Sequence, residues 1–475
     1  MNPTGKGPGV FIESTLRMET KMQFDELSAS LRGNLLTPDS SEYDDTRAVY
    51  NAMIDKKPSA IAMCVDATDV QTCVNFARDN GVTLAIRSGG HNAGGLGSVD
   101  DGLVINLSNM RGIRVDPKTK TVRVQAGCRW GDVDHAAHAH GLAVPAGIIS
   151  TTGCGGLTLG GGVGHLTRKF GLTIDNLLEA DVVLADGSMV VASADENPDL
   201  YWALRGGGGN FGVVTSFLFR GNPVHTIFGG PTLWELDRTE EIMKWYREFI
   251  LQAPEELTGF FAFLTVPPGP PFPEHLHLKK MCGIVWCYSG DTANAEELFA
   301  PVRELEPDLY GVQNMPFPML NSAFDPIYPP GHQWYWRADF FNEISDESIV
   351  EHAKWGAAMP TMQSSMHLYP IGGAAQRVGG EDTPWGYRDA NWAGVIVGVD
   401  PDPANADTLR DWAVGYYDAV HPYSSGGAYI NFMMEEGQER VKASYRDNYD
   451  RLAEIKAKYD PKNFFKVNQN IHPKE

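Results

Sequence analysis

Residues 150–164 read STTGCGGLTLGGGVG, and residues 87–92 read RSGGHN directly after a short apolar run. Glycine lets the backbone reach positive φ and lets another molecule lie against it. Consecutive N–H groups in such loops form concave nests that hold phosphate oxygens without a cationic side chain. The two stretches predict loops that bind a phosphate-bearing ligand. Taken alone, a histidine after two glycines is more often a loop residue that makes a hydrogen bond, so His91 acquires a functional interpretation only from the other motifs.

Around these loops the chain alternates short apolar runs with helical periodicity from about residue 59 to 219. Strands are predicted at 59–65, 82–86, 103–107, 113–115, 121–126, 178–184 and 213–219, and helices at 68–80, 130–140 and from 198. After about residue 222 the glycine loops stop. Helical patterns at 239–251, 292–305, 346–358 and 404–420 then alternate with strand patterns at 257–266, 277–288, 364–369 and 393–399. This second pattern predicts an antiparallel sheet with helices on one side.

The composition excludes several classes of protein. The chain has 475 residues, more than one ordinary domain, and 60 acidic against 39 basic residues give a formal charge of -21. The negative electrostatic field of such a charge repels phosphate backbones and anionic membranes, so we expect no nucleic-acid or membrane partner. The six cysteines predict buried free thiols and, with no secretory signal, a cytoplasmic protein.

Two other site types are less well supported by the sequence. Residues 207–212 match the dinucleotide pattern G-x-G-x-x-G, but a helix precedes them and a strand follows, the reverse of the order that pattern requires. We interpret them as a tight helix-to-strand turn. His135, His138 and His140 lie on one predicted helix, but no carboxylate completes an ordered set, so no metal site is expected.

The motifs together resemble the FAD-linked oxidases of the vanillyl-alcohol oxidase superfamily, which have a PCMH-type FAD-binding domain, in the branch named after berberine bridge enzyme. Besides the two glycine stretches, the resemblance rests on LRGGGGNFGVVT at 204–215, YINF at 429–432 and FKVNQNIHP at 465–473. It covers residues 59–219 and the C-terminal segment, while the middle third matches more loosely.

The resemblance implies FAD bound along the glycine loops, with a covalent bond from the imidazole of His91 to the flavin 8α-methyl group. Such a bond would fix the ring and raise its redox potential, which favours hydride acceptance. The cofactor-binding residues expected on this basis are His91, Arg87, Ser88, Gly89, Gly90, Asn92, Gly147, Thr151, Gly153, Gly156, Gly160, Gly162, Val214, Asn431 and Asn468.

Some relatives carry a second bond, from a cysteine to flavin C6. Counting back from Gly160 by the spacing of those relatives reaches Ile149, and Cys154 takes the place of a small apolar residue. We therefore expect a single link through His91, with Cys154 as a buried thiol.

Substrate oxidation also needs a base. Many relatives carry Y-x-N-Y near the C-terminus, where this chain ends the motif with Phe432. Alternation along a strand would put Tyr429 and Asn431 on one face, with Tyr429 near the substrate and Asn431 near the flavin. A tyrosine titrates near ~10, so a catalytic one needs a nearby cation, for which Arg337 is the candidate.

Tyr335 and Tyr328 are rival bases, and core packing is an equal explanation for Tyr429. Trp334 and Trp336 are interpreted as core residues that could alternatively stack a flat or sugar-like substrate.

The sequence predicts an α+β fold in which a two-part FAD-binding domain encloses a substrate domain. The expected segments are a disordered arm at 1–23, FAD-binding parts at 24–222 and 423–475, and the substrate domain at 223–422. The reaction expected is oxidation of an alcohol, amine or activated C–H group of a small molecule, with O2 as acceptor and H2O2 as product. A dehydrogenase with another acceptor, or a non-redox flavin-binding protein, remains open, as does a monomer against a homodimer.

Overall fold

The structure is a computed structural model that describes residues 24–475. The arm expected at residues 1–23 lies outside the described residues. Residues 24–30 form α1.

Two sheets form the first part of the chain. The first has the order β1-β2-β4-β3, with β2, β4 and β3 parallel, and the second is antiparallel with the order β5-β6-β10-β8-β9. Their strands are β1 (Asn34–Leu36), β2 (Ala60–Met63), β3 (Leu84–Arg87), β4 (Leu103–Asn106), β5 (Ile113–Asp116), β6 (Thr121–Gln125), β8 (Leu177–Val183), β9 (Met189–Ser193) and β10 (Val213–Arg220). A short ladder joins β7 (Leu142–Ala143) to β11 (Asn222–Pro223).

The helices of this part sit beside the glycine loops. They are α2 (Tyr43–Arg47), α3 (Ala67–Asn80), α4 (Trp130–His138), α5 (Cys154–Gly160), α6 (Thr167–Phe170) and α7 (Pro198–Leu204). α3 begins after Asp66, whose carboxylate accepts from the backbone of Thr68 and Asp69 and so caps the helix. Half of the glycine-dense stretch forms the short helix α5. The first turn of α5 contacts the loop that follows β3.

An eight-stranded antiparallel sheet follows, as the sequence predicts. Its order is β15-β12-β14-β13-β18-β19-β17, with β16 also paired to β12. The strands are β12 (Thr226–Glu235), β13 (Leu257–Thr265), β14 (Lys280–Tyr288), β15 (Leu309–Tyr310), β16 (Gln313–Pro316), β17 (Gln333–Phe341), β18 (Ser365–Pro370) and β19 (Trp392–Asp400).

The two faces of this sheet bury different cores. One face packs against long helices around Trp234, Trp286 and Tyr416. The other contributes side chains such as Phe260 and Val395 to the core of the first part of the chain. The helices between and beside these strands are α8 (Thr239–Gln252), α9 (Ala295–Leu298), α10 (Ala300–Glu304), α11 (Phe317–Asn321), α12 (Asp346–Ala357) and α13 (Ala406–Val420).

The C-terminal segment returns to the first part of the chain through α14 (Gln438–Tyr445) and α15 (Asn448–Tyr459). Lys456 anchors it, because its buried ammonium donates to Asn210 O at 2.7 Å, to Phe465 O at 2.9 Å and to the Asp460 carboxylate at 2.6 Å. The hydrogen bond from Lys456 to Asn210 O ties the last helix to the turn at 207–212, which joins α7 to β10 as expected.

All six cysteines are free and buried, in agreement with the expectation. Across residues 24–475, no helix is long and apolar enough to cross a bilayer. The same residues contain no cluster of three or more His, Cys, Asp or Glu side chains arranged to hold a metal ion.

Candidate active site

One cavity of about 300 Å³ lies where the glycine loops, the inner face of the eight-stranded sheet and the C-terminal segment meet. Its wall falls into two halves. The first half is the glycine loops with Asn431, Val214 and residues 467–469, and the second is aromatic and comes from β17, β18, β19 and Phe432. The arrangement suits a ligand that lies along the loops and presents one end to the aromatic half.

The two sequence stretches that stand out meet by direct backbone contact. A Cβ added to Gly89 would lie 2.4 Å from Gly153 N, and one added to Gly153 would lie 2.2 Å from Gly89 N. Only glycine at both positions allows this approach. The hydroxyl of Ser88 joins the same contact, since it donates to Ala126 O at 2.6 Å and accepts from Gly155 N at 3.2 Å.

The loops fit a pyrophosphate. Within residues 24–475, the backbone N–H groups of Gly89, Gly90 and His91 donate to no protein acceptor. Gly156 and Gly209 also line the cavity, and a Cβ at either would meet nothing within 4 Å. Free donors beside bare backbone form the nest that an anionic group needs, so the observed residues fit FAD.

His91 lies in the cavity wall and is held on several sides. Its ring stacks on Tyr50 with centroids 3.9 Å apart, and Thr151 Oγ1 lies 3.2 Å from Nε2. Thr152 Oγ1 lies 3.5 Å from Nδ1. Burial lowers the pKa of His91 to about 3, helped by the positive charge of Arg129. The imidazole is therefore unprotonated at neutral pH, the form that can act as a nucleophile.

Other residues expected to bind the cofactor support its loops. Arg87 donates to the backbone carbonyls of residues 46, 47, 48 and 97, which uses its guanidinium to fix the loop around His91. Asn92 Oδ1 accepts from Leu96 N at 3.2 Å. Thr151, Gly160 and Gly162 lie behind the cavity wall, whereas Gly147, Gly153, Val214 and Asn468 line it.

Tyr429 lies in the wall, but the expected strand around it is wrong, because Ile430–Phe432 is a 3₁₀ turn. The turn still brings Tyr429 and Asn431 together: Asn431 Nδ2 donates to the Tyr429 hydroxyl at 2.7 Å. Gly162 N donates to the same oxygen at 2.8 Å. Burial raises the pKa of Tyr429. An oxygen that already accepts two hydrogen bonds is poorly placed to take a substrate proton.

The expectation that Arg337 lies beside Tyr429 is also wrong. Arg337 and Tyr335 project from the face of β17 opposite to the cavity, and Arg337 Nη2 donates to the Tyr335 hydroxyl at 2.7 Å. Arg337 also pairs with Glu436 at 3.7 Å. Alternation along β17 gives the cavity to Trp334 and Trp336 instead.

The sequence reasoning missed the most prominent polar pair in the aromatic half. His367 and Tyr369, two residues apart on β18, line the cavity, and the Tyr369 hydroxyl lies 2.7 Å from His367 Nδ1. Burial lowers the pKa of His367 to about 3 and raises that of Tyr369 well above its usual range. Tyr328, a rival base from the sequence, lines the cavity nearby. The sequence signal that could have identified this pair is the alternation in SMHLYP at Ser365–Pro370, which puts His367 and Tyr369 on the same face of a strand.

Cys154 is fully buried at the start of α5 and does not line the cavity, whereas Ile149 does. Burial raises the pKa of the Cys154 thiol well above its ordinary value. The thiolate that a bond to flavin C6 requires is therefore disfavoured at Cys154.

Comparisons with known proteins agree with this geometry. Residues 58–193 match the FAD binding domain family, and residues 428–472 match the family described as berberine and berberine like. The FAD-linked oxidoreductase pgmH of Aspergillus terreus is 37% identical over 92% of this chain and 93% of its own length. The (R)-6-hydroxynicotine oxidase of Paenarthrobacter nicotinovorans is 31% identical over 94% and 97%.

Among solved structures, the berberine bridge enzyme-like 1 protein of Physcomitrella patens superposes with a TM-score of 0.85 at 25% identity, covering 95% of this chain and 99% of that one. The match spans both the loop-bearing part and the eight-stranded sheet, so the whole architecture is common to the two chains.

Proposed function

Because the chain belongs to the berberine bridge enzyme-like family of FAD-linked oxidoreductases, we propose that it is a covalent flavoprotein oxidase. Its substrate is a small molecule with an alcohol, amine or activated C–H group. FAD held by the glycine loops would supply the hydride acceptor for such a group, with O2 as the final electron acceptor and H2O2 as product. The observation that carries the proposal is the His91 ring, which lines the cavity, stacks on Tyr50 and lies at the end of a loop of free N–H groups.

Different residues of the chain bind FAD and attach it covalently. The N–H groups of residues 89–91 and the bare backbone at Gly156 and Gly209 hold the pyrophosphate. Tyr50 fixes the plane of the His91 ring by stacking. The hydroxyls of Thr151 and Thr152 hold its two nitrogens, so the imidazole keeps one orientation for the single covalent bond.

The pair formed by Tyr369 and His367 is the proposed proton acceptor. A substrate hydroxyl gives its proton to the Tyr369 oxygen as Tyr369 passes its own proton to His367 Nδ1, 2.7 Å away. The pKa of His367, about 3, suffices because an alcohol that is losing hydride becomes a protonated carbonyl, a much stronger acid. Tyr429 instead holds Asn431 and the Gly162 backbone in place.

We also propose that the functional division follows the chain, with FAD-binding parts at 24–222 and 423–475 around a substrate domain at 223–422. The eight-stranded sheet supports this division, since it runs from β12 to β19 within the middle segment. The substrate then lies where the two domains meet, the usual position of small-molecule sites.

Acid precipitation of the holoenzyme tests the attachment. The wild-type pellet should stay yellow, and His91→Ala should release its flavin into the supernatant. His135→Ala is the matched control, because His135 is exposed on α4 and remote from the cavity wall. Flavin that leaves the wild-type protein on denaturation would show that the covalent assignment is wrong.

Turnover with air tests the reaction. One H2O2 per substrate oxidised identifies an oxidase, whereas a dehydrogenase would turn over only with an added quinone or dye. Anaerobic bleaching of the flavin by a substrate would exclude a non-redox flavin-binding protein.

A further inference from the structure

Three consecutive residues that begin with Tyr50 form a bridge segment, which holds the loop that carries His91. Tyr50 N donates to Gly90 O at 3.0 Å. Asn51 Nδ2 donates to Ala93 O at 2.7 Å. The Tyr50 ring stacks on the imidazole with centroids 3.9 Å apart and planes 22° from parallel. Because these contacts flank His91 on both sides in the sequence, the bridge segment fixes its backbone as well as its ring.

The other side of the bridge segment is fixed to β17 and to the residues just before it. Asn51 pairs with the backbone of Trp334, since its Nδ2 donates to Trp334 O at 2.9 Å and its Oδ1 accepts from Trp334 N at 3.0 Å. Next to it, Ala52 N donates to His332 O at 2.8 Å. The bridge segment therefore joins the loop of His91 to the part of the chain proposed above as the substrate domain.

Asn51 contacts both sides with one side chain. It is fully buried, and its amide donates two hydrogen bonds and accepts two, the second accepted one from Met53 N at 3.0 Å. This is the full capacity of an amide group. An apolar side chain of similar size would fill the same space, but it would not connect the two backbones.

The loop of His91 needs such support because glycines at 89–90 and 94–95 flank the histidine and leave its backbone unconstrained. The step that depends most on its position is the bond to FAD. In that step a C–H bond of the flavin 8α-methyl group and the imidazole N–H bond break, a C–N bond forms, and the two protons and two electrons convert O2 into H2O2. A misplacement of about 1 Å can slow a reaction about 100-fold.

We propose, building on the covalent flavoprotein function above, that Asn51 and Tyr50 are positioning residues for the attachment of FAD to His91. Attachment then requires the substrate domain to be docked on the bridge segment, because Asn51 makes two of its four hydrogen bonds with Trp334. Binding of FAD itself rests on the N–H groups of residues 89–91 and needs neither side chain.

The first test measures how much of the bound flavin stays in the pellet after acid precipitation. Asn51→Leu removes the amide at similar volume, so the protein should bind FAD with a pellet-to-supernatant flavin ratio at least about tenfold below wild type. Asn448→Leu is the matched control, because Asn448 is a buried amide that joins α15 to residues 380–384 outside the cavity wall. Its ratio should equal that of wild type, even where thermal melts show the same loss of stability in both variants.

Tyr50 gives a second test that leaves Asn51 intact. Tyr50→Phe keeps the ring on His91 and loses only the hydroxyl that donates to Tyr328 O, so it should keep the wild-type flavin ratio. Tyr50→Leu loses the stacked ring and should lower the ratio about tenfold. A residue that acted only through its buried hydrogen bond would not be rescued by phenylalanine.

An Asn51→Leu protein with the wild-type flavin ratio, or an equal loss in Asn448→Leu, would overturn the proposal. Equal ratios in Tyr50→Phe and Tyr50→Leu would also overturn it, even where Asn51→Leu does not fold. Flavin that washes out of the wild-type protein would instead refute the covalent function itself, so the two failures are distinguishable.

Discussion

Replacing Tyr429 by phenylalanine removes one oxygen that two buried donors share. Gly162 N and Asn431 Nδ2 reach it at 2.8 and 2.7 Å. Asn431 Nδ2 keeps a second acceptor, Leu157 O at 3.1 Å, whereas Gly162 N loses its hydrogen bond. A buried donor left unpaired costs about 1–3 kcal/mol, and the weakened amide adds about 1 kcal/mol. Tyr429→Phe should therefore lower the free energy of unfolding by about 2–4 kcal/mol.

The same substitution at Tyr369 should act differently, which makes the pair a matched test. Tyr369→Phe leaves the buried His367 Nδ1 without its hydrogen-bond partner and should cost about 1–3 kcal/mol of stability. It also removes the proposed proton acceptor, so flavin reduction should slow by about 10²–10⁴-fold, the usual contribution of a general base. Tyr429→Phe should keep its reduction rate within about tenfold of wild type.

Two measurements separate these outcomes. Denaturant unfolding gives the stability of each protein, and anaerobic stopped-flow absorbance gives the reduction rate with the best alcohol substrate. A Tyr429→Phe enzyme that loses 10² or more in rate but keeps its stability, beside a Tyr369→Phe enzyme with the wild-type rate, would refute the reasoning. The base would then be Tyr429, as the sequence predicts.

Three further predictions concern attachment, stability and pH. Cys154→Ala should keep one covalent flavin, and peptide mass mapping should find it on the His91 peptide alone; a flavin on Cys154 in the wild type would contradict this. Lys456→Met should destabilise the protein by about 3–5 kcal/mol in denaturant melts, since Asp460 stays buried without its countercharge; an unchanged midpoint would argue against the anchor. Burial raises the pKa of Asp134 to about 7, so its contribution to stability is present below about pH 4 and is lost as pH rises towards 7. Asp134→Asn should therefore gain stability relative to wild type over that range in thermal melts, and a constant difference would contradict it.

The sequence locates the glycine loops that line one half of the cavity, because glycine placement is a local property. Gly89 and Gly153 are needed where two backbones touch, and no other residue fits there. The position of His91 follows directly, since it comes two residues after that contact. The strands at 103–107 and 213–219 are also predicted, because both segments are rich in apolar and β-branched residues.

The aromatic half of the cavity could not be predicted in the same way. The order WYWR at 334–337 allows the tryptophans or Tyr335 and Arg337 to face the cavity, but alternation does not allow both. The sequence reasoning assigned members of both sets to the site. Which set faces the cavity depends on how the sheet packs against the first part of the chain. A four-residue sequence pattern does not contain information about that long-range contact.

The 3₁₀ turn at Ile430–Phe432 could not be predicted from the sequence for the same reason, because it also depends on long-range contacts. YINF alternates apolar and polar residues like a strand, but residues 430–432 belong to no sheet in the described part of the chain. The turn is held instead by side-chain contacts to distant loops, such as Asn431 to Leu157 O. Tertiary contacts of this kind override local preference, and a single sequence does not contain them.

Burial explains how an acidic protein can hold an anionic cofactor and still keep reactive histidines. The chain carries a formal charge of -21. Backbone N–H groups of residues 89–91 supply positive dipoles for the pyrophosphate without a cationic side chain. The same exclusion of water keeps His91 and His367 unprotonated, so one is free to bond carbon and the other to receive a proton. Cofactor attachment and the proposed proton transfer therefore depend on one property of the cavity, its burial from water.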